Sequence, residues 1–364
     1  MAAHDLTSLF RHLPHPAPTP ADARAALLAD PGFGKVFSDH MILIDWDEEK
    51  GWHDATVAPR GPLSIDPAAA VLHYAQEIFE GLKAFRLADG SAGLFRPDAN
   101  AKRFNASARR LAMPELPEEV FIESVKELIR RDSDWFPTIE GGSIYLRPFM
   151  IATEPFLGVR PAKQYKFVVI ASPSGSYFKS NAPAVSIWVS DFTRAGPGGT
   201  GAAKCGGNYA ASLVPVAEAH QRGHDQVLFL DSREQQWIEE LGAMNIFFLF
   251  DNGHLNTPPL TDTILAGITR DCVIKIAREE GLTVTEEAYS LDSWRADARS
   301  GKLVEAFACG TAAVITAVGK VADAHGEFSM GDGKGGKFAA RMKEQLVAIQ
   351  RGTTPDKHGW VVKV

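Results

Sequence analysis

One lysine stands alone in a long stretch of the chain that carries no other charge. Lys204 is the only charged residue of segment 195–217 (AGPGGTGAAKCGGNYAASLVPVA), and small residues crowd it on both sides. A lysine amine is a nucleophile only without its proton, and burial lowers its pKa from about 10.4 toward neutrality. The segment therefore indicates a lysine that forms an imine with an aldehyde cofactor. The alternative is a solvated surface lysine, as most lysines are.

The same stretch contains a GxGxxG pattern at residues 196–201. The dinucleotide-binding fingerprint must follow a strand directly and open a helix. Here residues 191–195 intervene, and Pro197 lies inside the turn. The segment does not match the P-loop pattern either, because Ala202 rather than a lysine follows the last glycine. A dinucleotide-dependent oxidoreductase remains a competing interpretation, as does a binding protein without catalytic activity.

Several separate motifs agree in order and spacing with one enzyme family. The chain resembles the branched-chain amino acid aminotransferases, which are pyridoxal 5'-phosphate enzymes of fold type IV. The resemblance runs from Phe37 to Trp360. The motifs that carry it are Phe37–Met41 (FSDHM), His73–Tyr74, Phe79–Lys83 (FEGLK), Tyr145–Pro148 (YLRP), Lys204–Tyr209 (KCGGNY), Glu240–Asn245 (ELGAMN), Gly267–Arg270 (GITR) and Gly310–Ala312 (GTA).

The resemblance implies roles for three residues at the cofactor ring. Lys204 forms the internal aldimine with the aldehyde and afterwards moves the proton between the substrate and the cofactor. Glu240 faces the pyridine nitrogen and keeps it protonated, so that the ring accepts electrons. Tyr209 donates a hydrogen bond to the 3′-oxygen.

The resemblance also implies a binding site for the cofactor phosphate. Ile268 and Thr269 lie at the predicted start of a helix, where backbone N–H groups and the helix dipole favour an anion. Thr311 adds a hydroxyl group, and Arg103 adds a guanidinium from the other domain.

For the substrate, the resemblance implies an aromatic pocket and groups that bind carboxylates. Rings supply apolar area for branched side chains without adding charge. Arg147 resembles the residue that binds the second carboxylate of 2-oxoglutarate, and the backbone at Thr311 and Ala312 takes the α-carboxylate. The pocket residues are Phe37, Tyr74, Phe79, Tyr145 and Tyr177.

The pattern of strands and helices indicates an α+β protein. Strands cluster rather than alternate strictly with helices, which favours mixed sheets over one doubly wound sheet. We expect two mixed α/β domains with the cofactor between them, namely a smaller domain 1–172, a linker 173–183 and a larger cofactor-binding domain 184–364. The predicted helices are 21–28, 67–79, 100–111, 117–131, 209–222 with a kink at Pro215, 269–280 and 338–350. The predicted strands are 36–46, 143–152, 166–171, 184–190, 226–231, 244–250, 306–309 and 311–320.

Composition excludes several classes of protein. The chain has 364 residues, with 38 Lys and Arg against 45 Asp and Glu, and a net charge of −7, which argues against a nucleic-acid partner. Cys205, Cys272 and Cys309 are far apart and lack zinc spacing, so we expect no metal site and reduced thiols, as in the cytoplasm. The apolar runs are too short to span a membrane, and four prolines in residues 14–20 rule out a signal core.

The resulting hypothesis is a cytoplasmic, homodimeric transaminase of branched-chain amino acid biosynthesis. It transfers an amino group reversibly between L-leucine, L-isoleucine or L-valine and 2-oxoglutarate in a ping-pong reaction, yielding the 2-oxo acids and glutamate. The dimer follows from the resemblance alone. A D-amino-acid aminotransferase or an aminodeoxychorismate lyase of the same fold is the nearest alternative. The Tyr145 and Arg147 pair and the Phe37 segment favour the branched-chain hypothesis.

Overall fold

The computed structural model describes residues 6–175 and 184–364 of the chain. The described residues form two compact units. The first contains residues 6–175, Ala203–Gly206 and Ala348–Val364, and the second contains residues 184–202 and Gly207–Val347. Both units combine helices with mixed or antiparallel sheets, so the predicted α+β class is confirmed.

The helices are named in chain order. They are α1 (Ala21–Ala29), α2 (Ala70–Tyr74), α3 (Pro97–Arg110), α4 (Glu118–Arg131), α5 (Gly206–Ala210), α6 (Leu213–Gln221), α7 (Ile268–Glu279), α8 (Leu291–Ser300) and α9 (Lys337–Gln350). None of the helices in the described part of the chain has the length and apolar character needed to cross a bilayer.

The strands are named in the same way. They are β1 (Arg11–His12), β2 (His40–Asp47), β3 (Gly51–Pro59), β4 (Glu77–Phe79), β5 (Leu82–Arg86), β6 (Ala92–Phe95), β7 (Ser143–Ala152), β8 (Gln164–Ser174), β9 (Ala184–Val189), β10 (Gln226–Leu230), β11 (Ile238–Leu241), β12 (Asn245–Phe250), β13 (His254–Thr257), β14 (Thr283–Glu286), β15 (Leu303–Gly310), β16 (Val314–Asp323), β17 (Gly326–Ser329) and β18 (Val361–Lys363).

The first unit is built on a largely antiparallel sheet. Its strand order is β1-β3-β2-β8-β7-β5-β6-β18, and β4 pairs with β7 beside this path. Helices α3 and α4 pack on the sheet through fully buried rings: Phe104 and Phe121 each lie within 6.0 Å of Phe167, measured between ring centroids. The packing fixes the face of α3 that carries Arg103.

The second unit contains a mixed sheet of order β11-β10-β9-β16-β15-β12-β13-β14, with β17 on β16. Strand β12 (NIFFLF) is buried along its whole length, as its continuous apolar sequence predicts. On one side Phe248 packs edge-on against Trp294 of α8, and on the other Phe247 stacks on Phe307 of β15. This core supports β11, which carries Glu240, and the start of α7.

The helices that carry candidate site residues begin and end as their sequences require. Helix α3 has Pro97 at its first position, where the missing N–H costs nothing, and two arginines in its last turn. Helix α7 has Asp271 in its first turn and Arg278 in its last. Both charge patterns complement the helix dipole.

The predicted helix over residues 67–79 is wrong. The structure has a short helix, α2, that ends where Ala75 adopts a left-handed conformation with φ of 49°. From Glu77 the chain is extended, because β4 pairs in antiparallel register with β7, Phe79 lying opposite Phe149. This tertiary pairing overrides the helical spacing of the apolar residues.

Two further local predictions are corrected. Segment 209–222 forms two helices, α5 and α6, and the break precedes Pro215. Pro215 does not kink a helix, because it lies in the first turn of α6, where backbone N–H groups have no intrahelical partner. Residues 311–313 are a turn rather than extended chain, because Gly310 pairs with Val314 and closes a hairpin.

Two parts of the chain lie in the first unit although the sequence analysis assigned them to the larger domain. Ala203–Gly206 is one, and Ala348–Val364 is the other, because β18 pairs antiparallel with β6. Of the predicted linker, Pro173 and Ser174 complete β8, while residues 176–183 lie outside the described residues.

We predict that Phe247→Ala destabilises the protein by about 3–5 kcal/mol, because it leaves a cavity in a closely packed core. Phe192→Ala is the matched control, because that ring is 48 % exposed. Its effect should stay within about 0.5 kcal/mol. Urea unfolding of both variants measures the difference, and equal midpoints would contradict the assigned core.

Candidate active site

Lys204 is held by its backbone from two elements of the first unit. Its N–H donates to the hydroxyl of Ser107 on α3 at 2.9 Å, and its carbonyl accepts from the N–H of Phe79 on β4 at 3.0 Å. Two residues further on, the N–H of Gly206 donates to the carboxylate of Glu77. The backbone from which the Lys204 side chain extends is therefore fixed by α3 and β4 together.

The Lys204 amine lies among an aromatic ring and several charges. Its Nζ is 4.8 Å from the centroid of the Phe79 ring. Burial, and then the nearby guanidinium of Arg103, lower the pKa of Lys204 to about 8, against the opposing effect of Glu80. A larger fraction of this amine is therefore neutral at pH 7 than of an ordinary lysine.

Glu80 is completely buried beside this lysine. Its two carboxylate oxygens accept from Nε of Arg103 at 2.7 Å and from Nη2 of Arg103 at 2.8 Å. The amide of Asn100 donates at 2.7 Å, and the N–H of Gly81 at 3.1 Å. Burial alone would raise the pKa of Glu80, but the Arg103 guanidinium, together with the charge of Lys204 and the hydrogen bond from Asn100, outweighs it and holds that pKa below its usual range.

Arg147 and two rings form a second group on the same unit. The Arg147 guanidinium lies over the rings of Phe79 at 4.8 Å and Tyr145 at 5.5 Å, and its Nη2 donates to the Tyr145 hydroxyl at 3.4 Å. A Cβ on Gly81 would lie 1.9 Å from that hydroxyl, so a larger residue at position 81 would displace the Tyr145 ring from this position. Within the described residues, the buried Nε of Arg147 has no hydrogen-bond partner.

Glu77 adds a carboxylate near this group. It precedes Phe79 by two residues in β4, so both side chains point to one face of the strand. Burial raises the pKa of Glu77, while the hydrogen bond from Gly206 and the charge of Arg147 act in the opposite direction.

The second unit carries two consecutive buried carboxylates on β11. Glu240 forms an ion pair with Arg194 at 2.5 Å and accepts from the N–H of Leu265 at 3.4 Å. Glu239 accepts from the hydroxyl of Thr263 at 2.5 Å, and burial raises its pKa. Successive side chains of a strand point to opposite faces, so Glu239 and Glu240 have different surroundings. Glu240 is the one that forms the ion pair with Arg194.

The start of α7 lies beside Asn245, whose side-chain amide donates to the carbonyl of Leu265 at 3.0 Å. A Cβ on Gly267 would lie 1.9 Å from the Asn245 oxygen, so glycine permits this close approach. Ile268 opens the helix, and Thr269 is buried. The N–H groups of the first helical turn are the kind of donors that bind a phosphate.

Thr311 and Ala312 form the turn of the hairpin between β15 and β16. The turn ends at Val314, whose φ is 63°. A β-branched residue seldom adopts this conformation, and such strain costs about 1–3 kcal/mol and clusters at ligand sites. Tyr209 is half-buried in α5 of the same unit.

Two predicted pocket residues, Phe37 and Tyr74, are not in the group around Lys204. The ring of Phe37 lies 5.1 Å from the guanidinium of Arg60, and it lines a separate cavity of about 380 Å³. Tyr74 is 39 % exposed, and its hydroxyl donates to the carbonyl of Leu157. Tyr177 lies outside the described residues.

The GxGxxG turn does not have the context of a dinucleotide site. In residues 191–205 the structure assigns neither a strand entering the turn nor a helix leaving it. The N–H of Gly198 instead donates to the carboxylate of Asp262.

Sequence reasoning missed several residues that shape these groups. The signal for Glu80 was present, because a carboxylate follows a short apolar strand inside the FEGLK motif. Asn100 and Ser107, which were missed, recur at helical spacing with the predicted Arg103, which places all three on one face of α3. Nothing local distinguishes Arg194, which lies 46 positions before Glu240 in the chain.

Comparison with known proteins assigns the chain to a family. The family model described as amino-transferase class IV matches residues 77–321. The branched-chain-amino-acid aminotransferase of Mycolicibacterium smegmatis is 53 % identical over 346 residues, covering 94 % of each chain. The chain therefore belongs to the class IV aminotransferases, and the resemblance inferred from its motifs is confirmed.

Solved structures agree with this assignment. The branched-chain amino acid aminotransferase of Escherichia coli superposes with a TM-score of 0.75 at 28 % identity, over 89 % of this chain and 98 % of that one. The T.th. enzyme of the same name was solved with pyridoxamine 5'-phosphate (TM-score 0.72, 29 % identity) and with N-(5'-phosphopyridoxyl)-L-glutamate (TM-score 0.70, 28 % identity). Each of these two covers 88 % of this chain and 97 % of that one.

We predict that Lys204 in the ligand-free chain loses its proton near pH 8. Burial and Arg103 disfavour the charged amine, so Lys204 should be acylated with a midpoint well below the value of about 10.4 for an ordinary lysine. Competitive labelling across a pH series, read by peptide mass spectrometry, measures this midpoint. Lys102, 64 % exposed, is the internal reference. A Lys204 midpoint above pH 10 would contradict the described environment.

Proposed function

We propose that this chain catalyses reversible amino transfer between branched-chain L-amino acids and 2-oxoglutarate, with pyridoxal 5'-phosphate as cofactor. The observation that carries the proposal is the Lys204 amine, which has a pKa lowered to about 8 and lies beside Arg103. Relatives and solved structures named for this activity support it over the D-amino-acid aminotransferase and lyase alternatives.

The donor set fits this cofactor. When bound, pyridoxal 5'-phosphate supplies an aldehyde that captures amines and a ring that accepts the electrons of a carbanion. A poised amine, buried cations and a helix start are the groups that such a molecule requires. The residues that would hold it are Lys204 for the aldehyde, Glu240 for the pyridine nitrogen, Tyr209 for the 3′-oxygen, and Arg103, Ile268, Thr269 and Thr311 for the phosphate.

Lys204 would also move the proton at the substrate α-carbon. With a pKa of about 8, roughly one amine in ten is neutral at pH 7, against about four in ten thousand for an unperturbed lysine. A base whose pKa lies near the working pH transfers protons most effectively. The hydrogen bonds to Ser107 and Phe79 hold the backbone from which this amine reaches.

Glu240 would place a fixed negative charge at the pyridine nitrogen. The ion pair with Arg194 and the hydrogen bond from Leu265 orient its carboxylate, which is only 3 % exposed. An oriented anion in a site of low dielectric stabilises a proton on a nearby nitrogen without rearranging during the reaction.

The same group of residues suits two kinds of substrate side chain. Phe79 and Tyr145 present rings to an aliphatic side chain, and Arg147 lies over both. The unpartnered Nε of Arg147 gives its guanidinium a donor to spare for a carboxylate. We assign the second carboxylate of 2-oxoglutarate to Arg147, and the α-carboxylate to the N–H groups of the Thr311–Ala312 turn.

The homodimer and the cytoplasmic location are part of the proposal. Leu72, Tyr74, Leu157 and Val159 are large apolar residues that are 39–87 % exposed, and Tyr74 contacts Leu157. Exposed apolar residues in contact with one another, as Tyr74 and Leu157 are, are typical of interaction surfaces, which supports association of two copies. The three cysteines are free and buried, as suits the reducing cytoplasm. We place the enzyme in branched-chain amino acid biosynthesis.

We predict that the purified holoprotein absorbs visible light, bleaches on addition of L-leucine, and recovers with 2-oxoglutarate. Turnover by Lys204→Ala should fall by about 100- to 10,000-fold, because the substitution removes the amine that acts as the general base. Lys102→Ala on the exposed face of α3 is the control and should retain activity. Turnover by Lys204→Ala at the wild-type rate would overturn the proposal.

We also predict that Arg147→Gln changes KM for 2-oxoglutarate but not KM for leucine. Loss of a charge-assisted contact should raise KM for 2-oxoglutarate about 10- to 100-fold, while KM for leucine changes little. Steady-state kinetics with each substrate varied in turn measure the effect. Arg109→Gln, at a side chain 58 % exposed, is the control. An equal rise in both KM values would refute the selective role of Arg147.

A further inference from the structure

Glu80 is a buried anion without an assigned role. Its carboxylate is fully buried and accepts four N–H donors, two of them from Arg103. A buried ion pair is weak evidence for stability, because well-packed apolar residues are often as stable or more so. The arrangement therefore calls for a reason other than holding the fold together.

The geometry of the pair restricts Arg103. Nε donates to one oxygen of Glu80 and Nη2 to the other, so two hydrogen bonds fix one edge of the planar guanidinium. Asn100 binds the same carboxylate from one turn earlier on α3 and keeps it from rotating. A planar fork held along one edge has one orientation, whereas an arginine without such a partner samples many.

We propose that Glu80 is a positioning residue that orients the Arg103 guanidinium toward the phosphate of the cofactor. This inference rests on the proposed function, which assigns that phosphate to Arg103. Glu80 follows Phe79, whose N–H binds the Lys204 carbonyl. Ser107, on the face of α3 that carries Arg103, binds the Lys204 N–H. Glu80 therefore links Arg103, the proposed phosphate-binding residue, to the elements that hold the backbone of Lys204.

The charge of Glu80 has a second effect, at Lys204. The charged and titratable groups that face this amine are Arg103 from α3, Glu80 from the β4–β5 connection, and Tyr145 and Arg147 from β7. The two arginines favour the neutral amine, and Glu80 and Tyr145 favour the charged one. Removing the Glu80 charge should therefore shift the proton loss of Lys204 to lower pH.

The first test compares ligands with and without a phosphate. The full-length chain is freed of cofactor and titrated with pyridoxal 5'-phosphate and, separately, with pyridoxal. Glu80→Gln should weaken binding of the phosphate ester about tenfold or more, since Arg103 loses its orientation, and should not weaken binding of pyridoxal, which has no phosphate. Equal binding of the ester by wild type and variant, or an equal loss for both ligands, would overturn the inference.

The second test separates charge from position. Glu80→Asp keeps the charge but draws the carboxylate back, so the Lys204 labelling midpoint should remain near wild type while the preference for the phosphate ester falls. Glu80→Gln should lower both the Lys204 labelling midpoint and the preference for the phosphate ester. If Glu80→Gln does not fold, Glu80→Asp alone decides, because an unchanged preference for the ester would refute the positioning role.

Glu123→Gln is the matched control. Glu123 pairs with Arg130 on α4 of the same unit, so this variant also removes a carboxylate from an arginine, and neither readout should change. The two proposals fail in different ways. A wild-type chain that does not bind pyridoxal 5'-phosphate refutes the proposed function, whereas a wild type that binds it and a Glu80→Gln variant that binds it equally refutes only the role of Glu80.

Discussion

A lysine ammonium that is taken out of water beside guanidinium groups loses part of its affinity for its proton. Burial and Arg103 do this to Lys204, and Glu80 limits the effect. The sheet and α3 of the first unit place the groups that determine the pKa and the position of Lys204. The sheet carries Phe79 and Arg147. One face of α3 carries Asn100, Arg103 and Ser107. The backbone of Lys204 is held by hydrogen bonds, so the point from which its amine reaches does not depend on the charge of that amine.

In the second unit the candidate functional group is a buried anion rather than a buried cation. This unit keeps a carboxylate buried and oriented, through Arg194 and the N–H of Leu265. Both units pair a largely buried arginine with a buried glutamate, but the candidate functional group differs. In the first unit the arginine of the pair is assigned to the ligand, and in the second the glutamate is. Each partner carries an orienting role, because an isolated buried charge would be costly.

Much of this arrangement could be predicted from the sequence, and the rest required tertiary pairing. Lys204 was identified from its neutral surroundings. The bounds of β7 were predicted as they are observed, because apolar residues occupy most of the strand on both sides of Arg147 and Pro148. Residues 67–79 were misread, because β4 is extended only through its pairing with β7. The Glu80–Arg103 and Glu240–Arg194 pairs join positions 23 and 46 apart, and no local pattern encodes such contacts.

Strand β18 has a consequence for how the first unit folds during translation. It pairs with β6, so neighbours in one sheet are separated by more than 260 positions of the chain. The sheet that supports Lys204 therefore remains unfinished at one edge until residue 363 has left the ribosome. Contacts of such long sequence separation form slowly and leave an exposed edge in the nascent protein. A growing chain is thus expected to need protection at β6 well after its helices α3 and α4 have emerged.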